Sequence, residues 1–150
     1  MSDLSIRVLG RPSPQGSKRH VGGGRMVEAS KYLPAWRKTV TEAALEAVAE
    51  AGWETLTGPV SFRVLFILSR PKTIASNKRV FPIVPPDIDK LVRAVADSCT
   101  NAGVWADDSN ICKLEAYKIY DDKMDAGAIM WITAIDDFGV SIPDIADVMV

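Results

Sequence analysis

The chain has 150 residues, 47% hydrophobic and 25% charged, with a formal net charge of −1, which is ordinary globular composition and enough chain to bury the core of one domain. No apolar run approaches the roughly 20 residues of a membrane span and the N-terminus lacks a signal-peptide pattern, so no membrane association and a cytoplasmic protein are expected. The small net charge hides an asymmetry, because residues 1–86 carry a net +7 and residues 87–150 a net −8; a basic half is an electrostatic footprint for phosphates.

Leu4, Ile6 and Val8 alternate with Ser5, Arg7 and Leu9, the pattern of a first strand. Gly10 to Gly24 then collects Pro, Gly, Ser and base. Lys18, Arg19, His20 and Arg25 around three consecutive glycines make a cationic loop suited to a phosphate backbone, or equally a solvated hairpin. Ser30 is a plausible N-cap for a helix over 31–51 with Leu33, Trp36, Val40, Ala44, Ala47 and Ala51 on its buried face. Val60 to Leu68 reads as a central strand, since its second half is apolar on both sides. Arg70 to Pro86 is a long irregular stretch that brings Arg70, Lys72, Lys78 and Arg79 toward an acidic pair.

That pair, Asp87 and Asp89, stands where two prolines give way to an amphipathic run, with Ile88, Val92, Val95, Cys99 and Ala102 forming the apolar stripe of a helix that ends at Asn101 and Gly103. Asp89, Arg93 and Asp97 follow at i,i+4 spacing, so one cation is expected between two carboxylates. A second acidic pair, Asp107 and Asp108, comes after the loop. Acids at these places are common as caps and turn residues; the alternative is that Asp87, Asp89 and Asp108 share a hard divalent cation. Residues 111–120 and 127–135 read as two strands joined in a hairpin by an acidic turn. Cys99 lies on the apolar stripe and reads as a core thiol, while Cys99 and Cys112 together form no metal or disulfide pattern.

From Asp87 to Lys118 the sequence DIDKLVRAVADSCTNAGVWADDSNICKLEAYK resembles the signature of the RusA-type Holliday junction resolvases, small endodeoxyribonucleases of bacteria and their phages. The matching elements are the Asp87-x-Asp89 pair, a basic residue four positions on (Arg93), Asp97, the segment containing Gly103, Trp105, Asp107 and Asp108, and Lys118. The stretch Pro12 to Arg25 has the family's Pro-rich, basic opening in looser form. Two departures stand out: Lys90 occupies a place usually held by Asn, and Arg93 one usually held by Lys. Arg is a planar fork and Lys a point charge, so the two are not equivalent.

The expected fold is a two-layer α/β domain, a mixed sheet carrying two principal helices, over residues 1–135, with an acidic and apolar tail over 136–150. The resemblance implies a metal-dependent endonuclease for branched DNA, four-way junctions above all, in which Asp87, Asp89 and Asp108 bind Mg²⁺ or Mn²⁺. Arg93, or Lys90, would stabilise developing charge, and Lys18, Arg19, Arg25, Lys90 and Lys118 would hold DNA. Paired cuts at a four-way junction call for a homodimer, through an apolar helix face or the tail. A DNA-binding module whose acids only brace a helix, and a nuclease for other DNA or RNA structures, are the alternatives.

Overall fold

A computed structural model of the chain describes residues 3–16, 18–20, 22–23, 26–28, 30–75 and 80–136. Its main sheet contains β1 (Asp3–Leu9), β4 (Val60–Leu68), β5 (Ile111–Tyr120) and β6 (Gly127–Ala134) in the order β1-β6-β4-β5. Two short strands, β2 (Lys18–His20) and β3 (Met26–Glu28), pair separately as an antiparallel ribbon, so the cationic stretch is a hairpin in its backbone. Arg25 and the tail beyond residue 136 lie outside the described residues.

Period-two alternation decides which sheet face is buried. Leu4, Ile6 and Val8 of β1, Val60, Phe62, Val64 and Phe66 of β4, and Ala128, Met130 and Ile132 of β6 all point to one side and are buried there. Against them pack α1 (Leu33–Ala51) and α2 (Ile88–Asn101). The mixed α/β architecture with two helices on the sheet is the expected one. The opposite face carries Arg7, Ile129, Leu65 and Tyr117 in one row across the sheet, and Ser5, Trp131, Arg63 and Glu115 in the next.

Three details differ from the sequence expectation. Strands β5 and β6 are not a hairpin: β5 lies parallel to β4 at the sheet edge, and β6 inserts between β1 and β4, antiparallel to both. The strongly apolar β6 is buried on one face by this placement, whereas β5 is mostly exposed or half-exposed and suits an edge. The six-residue connection over 121–126 can span two strand spacings of about 4.8 Å each. The first helix starts at Leu33 with Tyr32 as its cap, because the Ser30 carbonyl accepts from the Leu33 amide in a preceding turn and Pro34 is placed in the first helical turn, where a missing N–H is harmless. The buried face of α2 is Leu91, Ala94, Val95, Ser98 and Cys99, with Ile88 and Val92 only half-buried. The stripe is therefore rotated toward the small residues, where α1 comes close: Ser98 Oγ reaches the Arg37 carbonyl at 3.4 Å.

Candidate active site

The charged face of α2 gathers parts from four segments. Asp87 is the helix N-cap in extended conformation (φ −70°, ψ 138°), yet its side chain makes no cap hydrogen bond. Its carboxylate instead accepts from Lys90 Nζ at 2.8 Å, which holds the Asp87 carboxyl below its ordinary range and raises the Lys90 ammonium correspondingly. Asp89 already sits within the first helical turn and is exposed. With Asp87 extended and Asp89 helical, the two side chains do not share one face, since residues two apart in a helix diverge.

Further along, the loop after β1 lies against the helix. The Gln15 amide N–H donates to the Lys90 carbonyl at 3.0 Å, and Gln15 Nε2 donates to Asp97 Oδ2. Gly16 adopts φ +98°, and a Cβ there would lie 2.8 Å from Arg93 Nη1. This is a left-handed position, which favours glycine, and the Arg93 guanidinium lies close against it. The exposed Arg93 forms no ion pair with Asp89 or Asp97 among the described residues, contrary to the expectation from spacing.

Asp97 is paired with Asp108. The latter opens a single 3₁₀ turn (Asp108–Asn110), and its Oδ1 accepts from Thr100 Oγ1. Trp105 Nε1 donates to Thr100 Oγ1 at 2.9 Å. Burial, and then the neighbouring Asp97, push the Asp108 carboxyl above its ordinary range against the lowering effect of Thr100 and Trp105. Burial also acts to raise Asp97, but hydrogen bonds with Asp108 and Gln15 and the charges of Arg37 and Arg93 outweigh it and leave Asp97 low. The two carboxyls lie side by side, with Asp108 held above and Asp97 below the ordinary carboxylate range.

The segment 103–110 is built to deliver this one carboxylate. Gly103 takes φ +79° and turns the chain out of α2. Trp105 is fully buried, its ring edge-on to Phe62 at 5.2 Å between centroids, so it plugs the segment into the core. Asp107 is spent on structure: its side chain accepts from the Ser109 amide at 3.0 Å, and Asn110 Oδ1 accepts from the Asp107 amide at 2.9 Å in a capping box. Of the two adjacent acids, only Asp108 faces the helix.

The three acids expected to share one cation do not converge. Asp108 contacts Asp97 and Thr100, and Thr100 lies eleven residues, or about 16 Å of helix axis, beyond Asp89. Among the described residues no trio of His, Cys, Asp or Glu lies close enough to hold a metal ion. The donor chemistry nevertheless fits a hard divalent cation. Two adjacent carboxylates are a seat that a dication can occupy, and Mg²⁺ typically uses one or two carboxylates with water and phosphate for the rest.

Lys118 was expected on DNA. It projects from β5 on the helix side, where Nζ donates to the carbonyls of Val84 (2.9 Å) and Pro86 (2.8 Å). Two of its three donors therefore fasten the approach to Asp87. Lys18 and Arg19 belong to the β2–β3 ribbon, of which only the backbone is described. Sequence reading left Asp97 out of the metal set and missed Gln15 and Thr100. For Asp97 the signal was its place in the family motif; nothing local distinguished Gln15.

An α/β domain thus carries a half-buried acid pair beside Arg37 and Arg93. The sequence matches the family described as Endodeoxyribonuclease RusA over residues 10–130, and the chain belongs to that family. It is thus an endonuclease of the Holliday junction resolvase kind, a class that works on branched DNA and generally depends on divalent metal. No curated protein matches the chain. Among the described residues no helix is long and apolar enough to cross a membrane.

Proposed function

We propose that this chain resolves four-way DNA junctions and related branched DNA by Mg²⁺-dependent phosphodiester hydrolysis, in recombination or repair in the bacterial cytoplasm. The observation that carries the reading is the Asp97–Asp108 pair. Two carboxyls held side by side oppose each other once both ionise, so a purely bracing role does not account for them. Equally, Asp87 occupies an N-cap place without capping, which leaves its carboxylate to an ammonium. Both observations favour a nuclease over a DNA-binding module in which the acids only brace the helix.

Mg²⁺, or Mn²⁺ in its place, is proposed to bind at Asp108 together with Asp97, and Asp87 and Asp89 are proposed as a separate carboxylate seat at the start of the same helix, since the three acids do not converge on one ion. When bound, the cation supplies Lewis acidity, lowering the pKa of water and offsetting phosphate charge. The chain's own residues do the rest. Thr100 and Trp105 orient Asp108, and Gln15 fixes Asp97. Arg93, with no carboxylate partner among the described residues, is proposed to face the charge that develops on the scissile phosphate. Lys18, Arg19, Arg25 and Lys90 are proposed to contact the DNA backbone, and Lys118 to hold the Pro85–Pro86 approach.

Two cuts in a four-way junction require two sites related by a two-fold axis, so the working unit is proposed to be a homodimer of the 1–135 domain. The apolar helix faces are consumed by the core. That leaves the tail over 136–150 or the helix-free sheet face, where Trp131 and Tyr117 are exposed, as the joining surface. The test is a labelled four-way junction in competition with duplex and single strand. Paired, Mg²⁺-dependent nicks in the junction are expected; cutting that ignores structure, or that survives EDTA, refutes the assignment.

A further inference from the structure

Beside Asp87 lies a cleft of about 530 Å³ bounded by Arg11, Pro14, Lys31, Tyr32 and Pro86. That is within the size range, on the order of 300–1,000 Å³, of pockets that enclose small organic ligands. Its floor is a stacked pair: the Arg11 guanidinium lies 3.8 Å from the Tyr32 ring centroid, and Lys31 Nζ lies 5.2 Å from the same ring. Arg11, Lys31 and Tyr32 are all exposed, Tyr32 at 40%. Two cations and a flat aromatic surface therefore stand open next to a proposed metal ligand. A second cleft, of about 510 Å³, lies on the far side of Pro85–Pro86 and also has Arg11 in its wall. There Arg70 approaches the Tyr120 ring at 5.1 Å, but it is bound to Asp122 at 3.1 Å and its side chain is only 9% exposed. Arg70 of the second cleft is committed to Asp122, whereas Arg11 and Lys31 of the first form no ion pair among the described residues.

We propose that the Arg11–Tyr32 cleft is a nucleotide subsite that takes one unpaired nucleotide of the branched substrate, its base stacked on the guanidinium layer and its phosphate beside Lys31. A base within intact duplex is covered on both faces by its neighbours and cannot enter. A base at a branch point can be splayed out, and planar guanidinium and aromatic groups are the usual platforms for such bases. The position of Asp87 in the cleft wall ties the seat to the cutting site, so the subsite selects branched DNA by what duplex lacks. This inference rests on the proposed nuclease function and adds to it the element that reads the branch.

The test uses the full-length protein in EDTA with a four-way junction carrying 2-aminopurine at the branch-point positions, and the matching duplex as control. Wild type is expected to shift the fluorescence of the junction probe and to bind junction more tightly than duplex. Arg11→Ala and Tyr32→Ala should abolish the shift and weaken junction binding roughly tenfold or more, with duplex binding changed less than about twofold. Tyr32→Phe should bind as wild type does. Arg11→Lys keeps the charge but not the plane, and should fail. Circular dichroism checks that each variant is folded. Wild-type binding by Arg11→Lys, or equal losses on junction and duplex, would overturn the subsite and leave the nuclease reading standing. Failure of wild type to distinguish or nick a junction would overturn both.

Discussion

The two acidic groups on α2 are held in opposite ways. Asp87 and Asp89 stand exposed at the start of the helix, with Asp87 in an i,i+3 pair with Lys90, while Asp97 and Asp108 are half-buried and fastened by Gln15, Thr100 and Trp105. The first group can be reorganised by a rotamer change. The second cannot move without disturbing Trp105, one of the largest fully buried side chains. A carboxylate that must meet a phosphate within a fraction of an ångström belongs in a rigid setting, whereas one that captures and releases a cation benefits from a competing partner. The contrast predicts unequal effects for equivalent substitutions.

The largest effect is expected at the rigid pair. Asp108→Asn keeps shape but removes the charge a hard cation needs, and should lower the nicking rate by at least about 10³-fold while junction binding survives or tightens. The same change should raise the metal-free melting temperature. The sign follows from linkage: the folded-state Asp108 is raised by burial and by Asp97, so its native protonation stabilises the fold at low pH and that contribution is lost as pH rises through the folded value. Asparagine has no such loss, so the advantage of the variant in EDTA should grow with pH. Undiminished nicking in Mg²⁺ would remove Asp108 from the site, and a flat difference in melting temperature from pH 4 to 8 would remove the acid pair.

Arg93 comes next. Arg93 makes no ion pair with Asp89 or Asp97 and only its longer-range charge helps hold Asp97 low, so Arg93→Ala should melt slightly below the wild-type temperature while turnover falls by about 10²–10³-fold. Arg93→Lys should keep substantial activity. If Arg93→Ala cuts normally and Lys90→Ala fails, the charge-stabilising role belongs to Lys90.

A smaller effect concerns the thiols. Burial, followed by the charge of Asp108, pushes Cys99 up to about 12, whereas Cys112 is exposed. A thiol reagent at pH 8 should therefore modify one cysteine per folded chain and two in denaturant. Rapid labelling of both in the native protein would show that the face of α2 carrying Cys99 opens readily, and would weaken the contrast drawn between the two acid groups.

Much of this was legible in the sequence. The two long helices, the first strand and the central strand follow from apolar periodicity, and the motif from Asp87 to Asp108 gave the family. What periodicity could not give was pairing. The hairpin expected for β5 and β6 failed because adjacency in sequence does not determine adjacency in a sheet; only the burial requirement of β6 and the parallel crossover through α2 do. Local spacing likewise joined Asp87 to Asp89, whereas the helix separates them and a distant turn brings Asp108 to Asp97 instead. Gln15 illustrates the limit: its role depends on a loop folding back across the whole core, which no short window contains.

The smallest effect sharpens the comparison most, because it asks whether the exposed group is a metal seat at all. Lys90 lowers the Asp87 carboxyl, so the pair adds stability above the ordinary carboxylate range that is lost as pH falls through the folded value. Asp87 is exposed and Lys90 half-exposed one helical turn away, so Lys90→Ala should leave the melting temperature at pH 7 within about 1 °C of wild type. Its informative readout is metal dependence. If Asp87 receives a cation during the reaction, Lys90 competes for the same oxygens, and its removal should lower the Mg²⁺ concentration for half-maximal nicking by a few fold, on the order of 2–5. The rate at saturating Mg²⁺ should change little. If Asp87 does no more than pair with Lys90, the Mg²⁺ titration of Lys90→Ala will superimpose on that of wild type, and the metal must then be held at Asp97 and Asp108 without the start of the helix.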